Sequence, residues 1–190
     1  LVAAELSGVP PRLILNKADL IDDRTRVRLD ELCAMYRHIG YPVLEVSATE
    51  GTGIERLTER LAGGTSALVG PSGVGKSSLM NALLPDAGAK TGALWAQSGT
   101  GRNTTRASRL LGLPNEGDLI DSPGIGEFGL WNVDREDLLR GYIELQPLAG
   151  QCRFRNCSHR HEPGCALLEA VNRGAISRER LANFERIAAA

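Results

Sequence analysis

Residues 70–77, Gly-Pro-Ser-Gly-Val-Gly-Lys-Ser, have the types and spacing to hold a phosphate chain. They fit G-x-x-x-x-G-K-[ST], and they sit after an apolar run and before a helical pattern, as the motif requires. Gly70, Gly73 and Gly75 let successive backbone N–H groups converge on phosphate oxygens, with Pro71, Ser72 and Val74 filling the turn. The helix that begins at Lys76 adds partial positive charge at its N-terminus. Lys76 is placed to reach β- and γ-phosphates, and the Ser77 hydroxyl to hold Mg²⁺, with Ser78 next in the same first turn. A plain glycine-rich turn is the weaker reading, because pattern and context agree.

Three further segments bear on which nucleotide is bound. Asn16-Lys17-Ala18-Asp19 ends an apolar run, at the strand end where α/β sheets place ligands. The Asp19 carboxylate can accept the ring N–H and exocyclic NH₂ of guanine, a donor pair that adenine lacks. The Lys17 stem can cover the base, and Asn16 can tie this loop to the phosphate loop. Ser47-Ala48 ends the next apolar run, where a backbone N–H can meet the guanine carbonyl oxygen. Asp121-Ser122-Pro123-Gly124 follows Leu119-Ile120. There Asp121 can bind Mg²⁺ through water, and the Gly124 N–H can contact a γ-phosphate. Each of these short segments alone could be an ordinary strand end or turn. Thr104 or Thr105, in Gly101-Arg102-Asn103-Thr104-Thr105-Arg106, can coordinate Mg²⁺ and order its loop when the γ-phosphate is present. Ile125 stands where many GTPases carry a water-orienting Gln, so intrinsic hydrolysis is expected to be slow.

A second chemical group lies near the C-terminus. Cys152, Cys157 and Cys165 crowd together with His159 and His161. Three thiolates and one imidazole saturate a tetrahedral Zn²⁺ and leave no open position, which describes a structural site. Spacing alone leaves His159 and His161 as alternatives. Cys33 and His38 read as core and surface filling. Arg153, Arg155 and Arg160, with Arg173, Arg178 and Arg180 farther on, suit either RNA contacts or a solvated face.

The elements that must position these residues follow from the rest of the chain. It has 190 residues, 22 basic and 23 acidic, for a net charge of −1. A composition 42% hydrophobic and 24% charged is that of a globular chain. No apolar run reaches the roughly 18 residues of a membrane helix. The start, Leu1-Val2-Ala3-Ala4-Glu5, has neither a basic stretch nor a long apolar one, so it is not read as a signal peptide. The absence of an initiator Met suggests a piece of a longer protein. Leu13–Leu15, Val43–Val46, Ala67–Val69 and Leu119-Ile120 read as strands. Residues 24–38, 52–61 and 76–84 read as helices. The alternation predicts a three-layer α/β fold with a mainly parallel sheet. Residues 86–105 read as a long mobile loop. From about 132 onward the pattern is helical on both sides of the Cys/His cluster. The expected domains are therefore 1–131 and 132–190.

The site elements resemble those of the translation-factor class of GTPases, but their order is shuffled. N-K-A-D (16–19) and S-A (47–48) precede the phosphate loop, whereas Thr104-Thr105 and D-S-P-G (121–124) come last, as in a circular permutation. Together with G-P-S-G-V-G-K-S-S-L-M-N-A-L, D-S-P-G-I-G-E-F-G-L-W and E-P-G-C-A-L, this resembles the ribosome small subunit-dependent GTPase A (RsgA/YjeQ) family across essentially the whole chain. The resemblance implies His159 rather than His161 as the fourth zinc ligand. It implies a monomeric cytoplasmic GTPase that binds GTP and GDP with Mg²⁺ and one structural Zn²⁺ per chain. It also implies late maturation of the 30S subunit as the process, contact with 16S rRNA, and hydrolysis stimulated by the subunit. An N-terminal oligonucleotide-binding barrel and the first strand of the permuted domain would precede these residues, and without that strand a sheet edge is open. The family usually has His at the position of Asn103, so no loop-borne catalytic role is assigned there. A GTP-regulated RNA-binding module with negligible hydrolysis is the alternative. An ATPase or kinase sharing only the phosphate loop is disfavoured by Asn16–Asp19.

Overall fold

A computed structural model describes residues 1–84, 109–121 and 133–189. The whole of the expected loop 86–105 with its threonines, and Ser122 to Ile125, lie outside the described residues.

The chain divides into two compact units. The first comprises Leu1–Arg12, Asp30–Pro42 and the described part of Gly129–Ala190; the second comprises Leu13–Leu29 and the described part of Val43–Phe128. In the second unit, β1 (Leu13–Leu15) pairs in parallel with β2 (Val43–Glu45), with Ile14 opposite Leu44. Between them in sequence runs α2 (Asp23–Ile39). Asp22 caps its start, accepting from the Thr25 backbone N–H at 2.9 Å and from the Thr25 hydroxyl at 2.5 Å. Gly40, at φ +114°, closes it, and the Tyr41 N–H folds back to the Tyr36 carbonyl at 2.9 Å. Val27, expected on the apolar face of α2, is 63% exposed, and Cys33 is its buried residue.

A second sheet holds β3 (Thr65–Ala67), β5 (Asp118–Asp121) and β4 (Arg109–Gly112), with β5 in the middle. β3 runs parallel to β5, and β4 runs antiparallel to it. Among the described residues the strands form two sheets rather than one; two of the three pairings are parallel, as expected, and β4 is the antiparallel exception. The cause of that strand is local. A short turn joins Gly112 to Asp118, with the Leu113 N–H donating to the Gly117 carbonyl at 2.7 Å, and a hairpin forces antiparallel pairing. The expected strand at Ala67–Val69 lies two residues earlier, and Val69 is 53% exposed. Helices α3 (Ile54–Arg60) and α4 (Lys76–Leu83) supply Leu57, Leu79 and Leu83 to a core with Val46, Leu113 and Leu119.

In the first unit, α1 (Val2–Leu6), α5 (Arg135–Arg140), α6 (Ala166–Asn172) and α7 (Arg178–Ile187) enclose Leu138, Leu145, Leu167, Ile176 and Phe184. Tyr142 meets Phe184 edge to face, with ring centroids 5.6 Å apart. No described helix is long and apolar enough to cross a membrane.

Candidate nucleotide site and metal centre

The phosphate loop leaves the end of β3 and opens α4 at Lys76. Gly75, at φ +93°, takes the left-handed turn that starts the helix, and a Cβ there would collide with Asn16 Nδ2. Leu79 and Leu83 anchor α4 in the core, which fixes the direction of its N-terminus. Lys76 Nζ curls over its own loop and donates to the carbonyls of Gly70 at 2.6 Å and Pro71 at 2.9 Å. Lys17 Nζ donates to the Gly73 carbonyl at 2.7 Å, and Asn16 Nδ2 donates to the Val74 carbonyl at 3.0 Å. Four loop carbonyls are thus held by cationic or amide donors. That leaves the loop's N–H groups to serve an anion, as in other backbone nests.

The same residues draw in the other strand ends. Asn16 Oδ1 accepts from the Ala48 N–H at 3.3 Å. The Ser47 hydroxyl donates to Asp19 Oδ1 at 2.5 Å and accepts from the Glu50 N–H at 3.1 Å. Ser47 is buried, so the exposed Asp19 carboxylate is held in one rotamer by a fixed partner. A carboxylate offers about four lone-pair sites, so acceptor capacity remains for a ligand. Lys17 takes the left-handed backbone at φ +64°, and the Ala18 N–H donates to the Val46 carbonyl at 3.0 Å. This local bend turns Lys17 and Asp19 off the end of β1. Asp121 ends β5, whose parallel pairing with β3 sets it at the same end of the sheet as the phosphate loop. Ser72, Ser77 and Ser78 are exposed on that loop and first turn. The Ala48 N–H, expected to face a base, is here occupied by Asn16. Thr104, Thr105 and Gly124 lie outside the described residues.

The Cys/His cluster forms in the first unit. Sγ of Cys152, Cys157 and Cys165 and a ring nitrogen of His159 all lie within 4.8 Å of one another. His159 Nδ1 is 3.5 Å from Cys152 Sγ and 3.4 Å from Cys165 Sγ, and those two sulfurs are 3.9 Å apart. A tetrahedral zinc with Zn–S near 2.3 Å and Zn–N near 2.0–2.1 Å has edges of about 3.8 Å between sulfurs and about 3.6 Å between sulfur and nitrogen. The three spacings among Cys152, Cys165 and His159 match the edges of a site of that size. His161 is not among the converging groups.

Burial pushes the Cys157 thiol up to about 12 and raises that of Cys165. Burial, with the Arg135 guanidinium, lowers His159. Packed thiols therefore favour the protonated form, and a divalent cation is the group that reverses this preference. The donor set fits zinc.

Sequence reasoning missed two parts of this unit. Glu162 Oε1 accepts from the Ser158 N–H at 2.8 Å, and Oε2 accepts from the N–H groups of Arg160 at 3.1 Å and His161 at 3.2 Å. It therefore braces both flanks of His159, which itself sits at φ +61°. These hydrogen bonds, chiefly those from Ser158, hold the carboxylate well below its usual range. The Glu-Pro-Gly turn before Cys165 was the available signal. Arg180, grouped with the candidate RNA-contacting arginines, is instead buried. It donates from Nε to Glu144 Oε1 at 2.5 Å and stacks 4.6 Å from the Tyr142 ring centroid. It belongs to the core, because a carboxylate partner makes its burial tolerable. Arg153, Arg155, Arg160, Arg173 and Arg178 are exposed.

A glycine-rich phosphate loop at a strand-to-helix junction, on an α/β fold, defines a P-loop nucleotide-binding protein. The guanine-type loops come before it in sequence, which marks a permuted member of that class. The model of the RsgA GTPase family matches residues 1–131, and the chain belongs to that family. It is 61% identical over 187 residues to the small ribosomal subunit biogenesis GTPase RsgA of Alcanivorax borkumensis, covering 98% of this chain and 53% of that protein. The protein of the same name from Ectopseudomonas mendocina is 53% identical, covering 100% of this chain and 55% of that one. The chain thus spans about half the length of these curated relatives. Among solved structures, YjeQ from Thermotoga maritima superposes with a TM-score of 0.81 at 34% identity, covering 98% of this chain and 62% of that one. YloQ, a circularly permuted GTPase, gives 0.77 at 26% identity, covering 99% and 59%.

Proposed function

We propose that this chain is the catalytic part of a GTPase that binds GTP and hydrolyses it to GDP and phosphate during late maturation of the 30S ribosomal subunit. In this reading residues 1–131 form a three-layer, circularly permuted GTPase domain, and residues 132–190 a helical zinc-binding domain. The observation that carries the reading is the pair of Asn16 hydrogen bonds, to Val74 and from Ala48, beside the Asp19–Ser47 contact. They gather N-K-A-D, S-A and the phosphate loop into one site in the shuffled order.

Asp19 accepts the two N–H donors of guanine, Lys17 covers the base, and the Ala48 N–H passes from Asn16 to the guanine carbonyl oxygen. The N–H groups of residues 70–78 cradle the phosphates. Lys76 leaves the Gly70 and Pro71 carbonyls for the β- and γ-phosphate oxygens, where it offsets charge that develops as the γ-phosphoryl group departs. The Gly124 N–H contacts the same group. Ser77, Thr105 and Asp121 are the residues that would hold Mg²⁺, which when bound supplies further neutralisation of the phosphate oxygens. Cys152, Cys157, His159 and Cys165 hold one structural Zn²⁺. The protein acts as a cytoplasmic monomer that meets 16S rRNA on the subunit.

Ile125 cannot orient a water, so hydrolysis by the chain alone is slow and the subunit supplies the alignment. Single-turnover hydrolysis of GTP with and without 30S subunits tests this. Stimulation supports the reading, and its absence favours a GTP-regulated RNA-binding module with negligible hydrolysis.

A further inference from the structure

Phe154 is 42% exposed on the loop between two zinc-ligand cysteines. It is not a loose side chain. The loop is pinned on both sides by Cys152 and Cys157, and the Cys157 N–H donates to the Phe154 carbonyl at 3.3 Å. The Arg153 guanidinium lies 5.5 Å from the Phe154 ring centroid. The Arg153 stem runs so close to Gly164 that a Cβ there would press on it at 2.9 Å. Arg155, Asn156, Arg160 and His161 are exposed on the same segment. Residues 151–161 contain three arginines and no acidic side chain. The adjacent acid, Glu162, has its carboxylate taken up by three backbone N–H groups.

An exposed ring, a guanidinium packed on it and two further exposed arginines on the same segment form a stacking platform with phosphate contacts beside it. That combination suits a single strand, whose unpaired base offers a flat face and whose backbone offers charge. A duplex hides its bases, and an acidic peptide has no flat face to offer the ring. The geometry points to Phe154 as a base-stacking residue for single-stranded RNA, flanked by Arg155 and Arg160 as phosphate contacts. This deepens the proposed function by naming the kind of RNA that the metal-bound loop meets, and it rests on that reading for the source of the RNA.

The test is fluorescence anisotropy of a labelled uridine dodecamer, and of an RNA duplex of equal length, against the zinc-loaded chain. The single strand binds more tightly than the duplex. Phe154→Ala weakens single-strand binding about tenfold or more, on the scale of stacking on aromatic side chains. Phe154→Trp keeps it, which excludes a folding artefact. Arg155→Ala with Arg160→Ala lowers affinity and flattens its salt dependence. Equal binding by Phe154→Ala and the parent chain, preference for the duplex, or no binding by the parent chain overturns the proposal. GDP and ADP affinities are measured on the same samples. Guanine selectivity with Phe154-independent RNA binding sinks the stacking role alone, whereas lost guanine selectivity sinks the proposed function separately.

Discussion

Asn16 and Val74 lie on loops that leave different strands, and the Asn16 amide donates to the Val74 carbonyl at 3.0 Å across 58 residues of sequence. Its oxygen simultaneously accepts from Ala48. One side chain therefore sets the spacing between the base-reading loop and the phosphate loop. Asn16→Ala removes both bonds. Nucleotide takes the Ala48 N–H from Asn16, so the bond to Val74 is the one that counts in the bound state; at about 1 kcal/mol, GDP affinity is expected to fall about fivefold in a titration with a fluorescent GDP analogue, with zinc content unchanged. Undiminished affinity would show that the two loops are positioned by other means.

Gly75 meets the same amide from the other side. Gly75→Ala imposes a Cβ at φ +93° and drives it into Asn16 Nδ2. Backbone strain of this kind costs about 1–3 kcal/mol. The variant should unfold at lower temperature and lose most of the thermal stabilisation that GDP gives the parent chain. Retention of both would mean that the loop relaxes freely.

The meeting of the candidate loops was legible because its parts are short, local patterns. Phosphate-loop glycines, Asn16, Asp19 and Ser47 each sit at a strand end that apolar runs mark out. β4 was not legible. Arg109-Leu110-Leu111-Gly112 has one half-buried residue, so its apolar pattern carries no clear period. The strand is defined by its pairing to β5, a tertiary fact. The Cys/His spacing left His159 and His161 open; the family resemblance pointed to His159, and His159 is the one that converges with the three cysteines. The Arg180–Glu144 pair was illegible because an arginine in an amphipathic helix looks like a surface residue until its partner, 36 residues away, is known.

Glu162 braces the Cys/His cluster without joining it. Glu162→Ala frees three backbone N–H groups around His159. Loss of an outer-shell partner typically costs about 10–100-fold in metal affinity. Zinc release to a chromogenic chelator should accelerate in proportion, with Glu162→Gln intermediate because its amide oxygen still accepts. The parent chain should release about one zinc, and the fold of residues 150–170 should be lost with it. Equal release rates for all three proteins would remove the bracing role.

The buried pair makes a separate prediction about stability. Arg180 and Glu144 side chains are 4% and 9% exposed. Glu144→Gln leaves the guanidinium without its counter-charge, at a cost of about 3–5 kcal/mol. Replacing both, as Glu144→Leu with Arg180→Met, should recover most of that loss in urea unfolding. If the single variant unfolds at the parent's midpoint, solvent reaches the pair.

In the proposed site Asp19 reads guanine beside the loop that carries Lys76. Competition titrations with GTP, ATP and xanthosine triphosphate, on the parent chain and on Asp19→Asn, test it most directly. The expected result is strong preference for GTP in the parent and a switch to xanthosine triphosphate in the variant, because asparagine supplies the donor that the xanthine oxygen needs. ATP competing as well as GTP against the parent, or an Asp19→Asn variant that still prefers GTP, would contradict it.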